Sequence, residues 1–307
     1  MNELFNDSAR GKLLVAGEYL VLAGATALAL PLKYGQTLEV EETDTPGIEW
    51  ESHAPSGKWF SARFDNRNFR VLTPENLKIA ERLKTLLLAA RQLNPWFLVS
   101  GKGFKVKTRS NYPLEWGLGS SSTLCYLVAS WAGVKPHDLH TLTSNGSGYD
   151  VACAGSRDML FYRLVDSQPE TMPAFPGRAM VENTWFVYLG FKKNTEMEVT
   201  NFLANFSHTS KEVDHVSELS TLICNAKTYD ELFLLVEEHE SVLSTIMKRE
   251  PIARRFPTFP GTVKSLGAWG GDFAMFVSGS EPGEVKRILT QLGFSDIFRF
   301  NDLKAVS

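Results

Sequence analysis

The chain has 307 residues, 43% of them hydrophobic and 22% charged, with Lys and Arg numbering 32 against 35 Asp and Glu for a formal net charge of -3. That length suits one large α/β unit or two fused smaller ones and excludes a disulfide mini-domain; a mildly acidic chain without a basic block argues against nucleic-acid binding by bulk electrostatics, though a local cationic pocket for a small anion remains open. Apolar runs such as Leu86–Ala90 and Trp185–Phe191 fall far short of the ~20 residues of a membrane span, polar Met1–Arg10 lacks the apolar core of a secretory signal, and Cys125, Cys153 and Cys224 form no Cys-x-x-Cys pair, so they read as buried small hydrophobes in a reducing compartment.

In chain order, the first region is β-rich. Lys12–Ala16 is a short apolar run, and Leu20–Leu32 is a second, broken at Gly24. Thr37–Glu42 alternates, and Ile48–Phe64 holds two alternating stretches around the turn signal Pro55-Ser56-Gly57. Thr73-Pro74-Glu75 predicts a helix start, with a capping hydroxyl, Pro at the first position and an acid in the first turn; Leu77, Ala80, Leu83, Leu87 and Ala90 follow at helical spacing. Phe104–Thr108 alternates again. Ser120–Ala132 predicts an apolar helix behind the Gly-rich turn Trp116–Gly119. Met159–Val165 and Thr184–Phe191 predict strands, Val199–Met247 a mostly helical stretch, Phe273–Val277 a strand, Glu284–Leu292 an amphipathic helix and Ile297–Phe300 a closing strand. The elements lack the regular alternation of a doubly wound sheet, so the expected class is α+β in two lobes, residues 1–180 and 181–307.

Four segments carry chemistry. Gly117-Leu118-Gly119-Ser120-Ser121-Ser122 runs into a helix. Glycines allow close backbone approach to a ligand, the free N–H groups of a helix start form an anion site, and three hydroxyls there can bond phosphate oxygens or Mg²⁺; a plain Ser cap behind a Gly turn is the equal alternative. No G-x-x-x-x-G-K-[ST] occurs, and Ser122 stands where a dinucleotide fingerprint needs Gly. Gly146-Ser147-Gly148-Tyr149-Asp150-Val151-Ala152 can hold Asp150 rigidly, or Asp150 simply caps a helix. Lys264-Ser265-Leu266-Gly267-Ala268-Trp269-Gly270-Gly271-Asp272 is a second Gly-rich loop or a plain hairpin. In Gly11-Lys12-Leu13-Leu14-Val15-Ala16-Gly17-Glu18-Tyr19, a Lys opens a buried strand, where its charge must be paired.

Together these segments resemble the GHMP kinases. Gly11–Leu32 is similar to the first motif of that family, Pro113–Leu124 to the second and Lys264–Asp272 to the third. The resemblance implies a ribosomal-S5-like N-terminal lobe, a ferredoxin-like C-terminal lobe and an ATP-dependent kinase using Mg²⁺; with the composition above, the expectation is a cytoplasmic protein, monomeric or homodimeric, with no nucleic-acid or membrane partner. Gly17-Glu18-Tyr19 and Gly146–Ala152 look most like phosphomevalonate kinases, with mevalonate kinases next, which implies a small anionic acceptor. Another GHMP acceptor and a non-catalytic ATP-binding role stand as alternatives.

Roles follow from the resemblance. Gly117, Leu118, Gly119, Ser120, Ser121 and Ser122 would bind the ATP phosphates, with Ser121 the Mg²⁺ ligand. Asp150 would orient the acceptor hydroxyl or take its proton, and Lys12 would pair with Asp150 and stabilise the alkoxide. Glu18, Tyr19, Ser147, Lys264, Gly267, Trp269, Gly270 and Gly271 would line the acceptor side, with Arg10, Lys264 and Arg157 as candidate cations for a second phosphate. The chain departs from the family in two places. Trp269 stands where the third motif usually has Gly, pointing into solvent or closing the pocket. The metal-binding Glu of mevalonate kinases has no counterpart in Pro136–Asn145, which offers only Asp138 and His140, or leaves the metal shell to water.

Overall fold

The computed structural model describes residues 3–190, 195–267 and 272–305. They divide into two compact units that interleave along the chain. The first takes Met1–Gly11, Tyr34–Leu114 and Leu118–Gly155; the second takes Lys12–Lys33, Glu115–Gly117 and Ser156–Ser307. Where a single border near residue 180 was expected, the chain passes between the units several times, and two long strands, β1 (Glu3–Ala16) and β2 (Ala27–Thr43), each give a part to either unit.

The first unit adds β3 (Gly47–Ala54), β4 (Gly57–Phe64), β5 (Val71–Pro74), α1 (Leu77–Leu93), β6 (Gly103–Ser110), α2 (Ser120–Ala132), α3 (Pro136–Thr143) and α4 (Tyr149–Ala154). Its strands run in the order β5-β4-β3-β6-β2, all antiparallel except β3 beside β6. Alternate residues point to one face, the period-2 pattern of a half-buried sheet: Ile48 and Trp50, Phe60, Ala62 and Phe64, Phe104 and Val106 are buried there. They share one core with Leu83, Leu87 and Ala90 of α1 and Leu127, Val128 and Ala132 of α2.

The helical spacing of α1 is as expected, but its start is not. β5 continues through Pro74, which an edge strand tolerates, and the Glu75 N–H still donates to the Ser61 carbonyl at 3.0 Å. The backbone is free to turn helical only after that, so Asn76 is the cap, its Oδ1 accepting from the Ile79 N–H at 3.3 Å.

The second unit holds the other parts of β1 and β2 together with β7 (Leu160–Val165), β8 (Gln168–Pro173), α5 (Arg178–Glu182), β9 (Thr184–Tyr188), α6 (Thr195–Asn205), α7 (Ser210–Asn225), α8 (Tyr229–Met247), β10 (Thr262–Ser265), β11 (Phe273–Val277), α9 (Pro282–Gln291), β12 (Ile297–Arg299) and α10 (Phe300–Leu303). β7 pairs with Ala27–Ala29 of β2 and, through a hairpin, with β8. A separate antiparallel sheet runs β10-β11-β9-β12. β8 is an unexpected strand: its residues are mostly exposed, and its tight turn uses Asp166 (φ 49°) and Ser167 (φ 62°) where a hairpin signal would be Asn-Gly. The long helical stretch breaks twice, and each new helix opens on a capping box, Thr209 with Glu212 and Thr228 with Glu231. No helix among the described residues is long and apolar enough to cross a membrane.

The cap assignment has a measurable consequence. Asn76→Ala should cost about 1 kcal/mol in denaturant unfolding, and Thr73→Ala about 0.5 kcal/mol or less, as for a surface substitution. Equal losses at the two positions would return the cap to Thr73.

Candidate active site

The turn before α2 is built from two glycines with positive φ, Gly117 at 67° and Gly119 at 98°. The second is the N-cap of α2 and supplies no side-chain cap. The first intrahelical bond is Thr123 N–H to Gly119 O at 2.9 Å, so the N–H groups of Ser120–Ser122 precede the helical ladder, as at any helix start. The three serines are not equivalent. Ser122 is buried and donates its hydroxyl to Gly119 O at 2.9 Å, so it braces the turn instead of facing a ligand. Thr123, also buried, donates to Gln36 Oε1 at 2.9 Å. Leu118 is fully buried and can offer a ligand only its backbone. Ser120 is half-buried and Ser121 exposed, leaving these two hydroxyls at the surface of the turn.

Asp150, also in the first unit, sits half-buried in the first turn of α4, its Oδ1 accepting from the Val151 N–H at 3.0 Å. Its charge, after burial, helps push the neighbouring Cys125 thiol up to about 12. Ser147 is buried. His140 is buried as well, and its Nε2 donates to Gly146 O at 3.1 Å; it pins the Gly146–Gly148 turn, which removes that nitrogen from metal binding.

The remaining predicted residues, Arg10 apart, belong to the second unit. Lys12 is half-buried, with Nζ donating to Gly117 O at 3.4 Å. Gly117 is itself held by its neighbours. The Trp116 ring packs on Phe298 at 5.4 Å, Phe273 at 6.2 Å and Tyr188 at 6.4 Å, and the Tyr188 hydroxyl donates to Glu115 O at 3.1 Å. This aromatic cluster, absent from the sequence reading, anchors the segment that leads into the turn. A Trp directly before Gly-x-Gly was its one visible signal.

Glu18 and Lys264, expected to line the acceptor, are both 0% exposed and bonded to one another. Lys264 Nζ also lies 3.8 Å from Glu240 Oε1 and donates to Ser265 O at 3.0 Å. His239, equally buried, has Nε2 3.5 Å from Glu18 Oε2 and accepts there from the Gly17 N–H at 3.2 Å. Glu240 accepts from the Ser265 N–H at 3.2 Å. Gly17 must be glycine: φ is 88°, and a Cβ would stand 2.6 Å from Ala27 Cα. Burial pushes the Glu18 carboxyl up, opposed by the Lys264 charge.

Tyr19 is likewise withdrawn. It adopts φ 61°, its ring stacks on Phe202 at 4.9 Å, and its buried hydroxyl finds no hydrogen-bond partner among the described residues. Gly267 is described, with φ 61° and no atom of the described residues within 4 Å of where a Cβ would stand, whereas Trp269, Gly270 and Gly271 lie outside the described residues. Of the three candidate cations, Lys264 is consumed by its own ion pairs, Arg10 is half-buried and Arg157 exposed.

The group implied by the resemblance fits the first-unit helix start on two counts: Gly119, of positive φ, leaves the N-cap without a side chain, and Ser120 and Ser121 keep hydroxyls at its surface. Among the described residues no cluster of three or more His, Cys, Asp or Glu could cage a metal ion. Mg²⁺ carried by nucleotide phosphates does not need one, since it takes one or two protein oxygens and keeps water.

The buried pair generates two expectations. Lys264→Met strands an unpaired Glu18 and should destabilise the fold by about 3–5 kcal/mol, with much of the loss recovered in Lys264→Met/Glu18→Leu. A Lys264 variant of wild-type melting temperature but weakened acceptor binding would restore the substrate role. His239 is kept neutral, burial first and the Lys264 charge second holding its pKa well below 6.5. The unfolded chain protonates this histidine and the folded chain does not, so the stability it contributes is complete above about pH 6.5 and is lost as pH falls, by about 1.4 kcal/mol per pH unit. His239→Gln keeps an acceptor for Gly17 and should flatten that slope; an identical pH profile would mean that His239 titrates inside the fold.

No protein-family model and no curated protein sequence matches the chain. Solved structures do. A mevalonate kinase from Methanococcus jannaschii is 16% identical and superposes with a TM-score of 0.72 over 99% of this chain and 98% of its own. The Streptococcus pneumoniae phosphomevalonate kinase in complex with phosphomevalonate and AMPPNP is 17% identical, TM-score 0.71, over 97% and 100%. The Lactococcus lactis galactokinase complexed with galactose is 12% identical, TM-score 0.69, over 98% and 93%. Full-length coverage of several such enzymes, with an α+β architecture throughout, shows that this chain has the GHMP kinase fold.

Proposed function

We propose that the protein is an ATP-dependent small-molecule kinase that phosphorylates the hydroxyl or phosphate oxygen of a small anionic acid of the mevalonate pathway, phosphomevalonate ahead of mevalonate. The observation that carries the reading is the turn into α2: glycines of positive φ, a helix start without a side-chain cap and two surface hydroxyls, Ser120 and Ser121, in a chain with the GHMP kinase fold. The preference for phosphomevalonate rests on the Gly17-Glu18-Tyr19 and Gly146–Ala152 forms of the motifs and is a matter of resemblance.

In this reading the backbone N–H groups and the Ser120 and Ser121 hydroxyls bind the ATP phosphates, and helix-start partial charge favours the anion. Mg²⁺, when bound, would neutralise phosphate charge, with Ser121 offering a hydroxyl ligand. The acceptor oxygen forms its bond to the γ-phosphorus as the bond from that phosphorus to the ADP oxygen breaks. Asp150 orients the acceptor and takes its proton where it has one, and Lys12 offsets the developing negative charge. Transfer of this kind depends on positioning and electrostatics more than on covalent chemistry.

The test is ATP consumption against phosphomevalonate, mevalonate, homoserine and several sugars. Turnover is expected on phosphomevalonate, with Asp150→Asn and Lys12→Met each losing ~10²–10⁴-fold at unchanged melting temperature. Ser121→Ala should slow turnover most at limiting Mg²⁺. Turnover of a sugar alone would move the acceptor and keep the kinase. Nucleotide-dependent stabilisation without turnover of any acceptor would assign a non-catalytic nucleotide-binding role.

A further inference from the structure

A carboxylate is held only as firmly as the turn that carries it, and glycine is the residue that constrains a backbone least. Asp150 follows two of them, Gly146 and Gly148. Gly148, with φ 84°, is the N-cap of α4 and is tied to that helix: its carbonyl accepts from the Val151 N–H at 3.1 Å and the Ala152 N–H at 3.0 Å. Gly146 is tied from the other side. His140 of α3 donates from Nε2 to the Gly146 carbonyl at 3.1 Å, and Ser144, the C-cap of α3, accepts the Gly146 N–H on Oγ at 3.2 Å. The two side chains flank one α-carbon, each 3.5 Å from where a Cβ would stand. Every residue involved belongs to the first unit.

Packing alone does not call for a histidine here. Leu139 already joins α3 to Val151 and Ala154 of α4 in one apolar core, and a buried imidazole is costly unless its nitrogen is satisfied. What His140 adds is a directional bond to the turn. The same core holds Cys125 of α2, whose thiol feels the Asp150 charge. Ser121 lies four residues before Cys125, on the same face of α2, so a shift of the turn changes the spacing between Asp150 and the hydroxyl assigned to the nucleotide. We propose that His140, with Ser144, is a positioning residue for Asp150, holding the Gly-Ser-Gly turn in the conformation that presents the carboxylate to the acceptor. The inference rests on the kinase reading above, in which Asp150 handles the acceptor, and it assigns His140 to the geometry of transfer and not to the metal.

The experiment is steady-state kinetics of the full chain on the acceptor it turns over, with melting temperatures alongside. His140→Leu keeps an apolar bulk and removes the donor; kcat should fall by about tenfold to a hundredfold, the scale of a misplaced reacting group, with the KM for ATP unchanged. His140→Gln places an amide N–H near the position of Nε2 and should recover most of that loss. In an Asp150→Asn background His140→Leu should cost little more, because residues that act through one another are not additive. A wild-type kcat in His140→Leu, a loss that His140→Gln does not recover, or an undiminished loss in the Asp150→Asn background overturns the proposal and leaves His140 a satisfied core histidine. Should His140→Leu fail to fold, the exposed Ser144→Ala carries the same comparison: kcat should fall in the otherwise wild-type chain and not beside Asp150→Asn, and an unchanged kcat overturns the proposal. A wild type that turns over no acceptor overturns the kinase reading, and this proposal with it.

Discussion

A lysine ammonium with no exposed surface is the constraint around which the second unit is arranged. Desolvating a single charge costs several kcal/mol even after relaxation, so Lys264 can be buried only if oxyanions are brought to it from elsewhere in the chain. Glu18 comes from the turn after β1 and Glu240 from the middle of α8. Once those carboxylates are committed, His239 falls beside Glu18 and takes the Gly17 N–H, and Glu240 takes the Ser265 N–H. Turn, helix and strand are thereby fixed in one register by groups that cannot be left unsatisfied. Glu18 and Lys264, which read from the sequence as substrate contacts, also frame the segments around them.

The turn at residues 117–122 is shaped by a similar division of labour. Trp116 locks the segment before it through aromatic packing, and Ser122 and Thr123 spend their hydroxyls on the backbone and on Gln36. What remains at the surface is a short set of donors, with Ser120 and Ser121 at its centre. Such preorganisation would suit the proposed phosphoryl transfer, since donors fixed in advance need not reorganise during a reaction.

Acceptor choice lies outside what this frame decides. The structural neighbours include enzymes named for mevalonate, phosphomevalonate and galactose at 12–17% identity, and one fold can host many specificities through side chains at its site. With Lys264 consumed internally and Tyr19 packed on Phe202, the cations free to meet a second phosphate are fewer than the motifs suggest.

Much of the architecture was legible in local signals. Alternation marked β3, β4 and β6, helical spacing marked α1, and the Gly-rich turn before an apolar run located α2 to the residue, because these patterns follow from backbone geometry over a few positions. The four motifs and their order were enough to reach the GHMP kinase fold. Local signals failed where a distant partner decided the outcome. Thr73 lost the cap to Asn76 because the strand β4 still claimed Glu75, and β8 exists because β7 offered it an edge. Lys264 and Glu18 stand 246 positions apart, far beyond any sequence window. The sequence by itself determined which residues are charged, small or hydroxylated at each motif. Only the tertiary structure decided which of those charges neutralise one another inside the protein and which are left to face a ligand, since burial and pairing are properties of the folded chain.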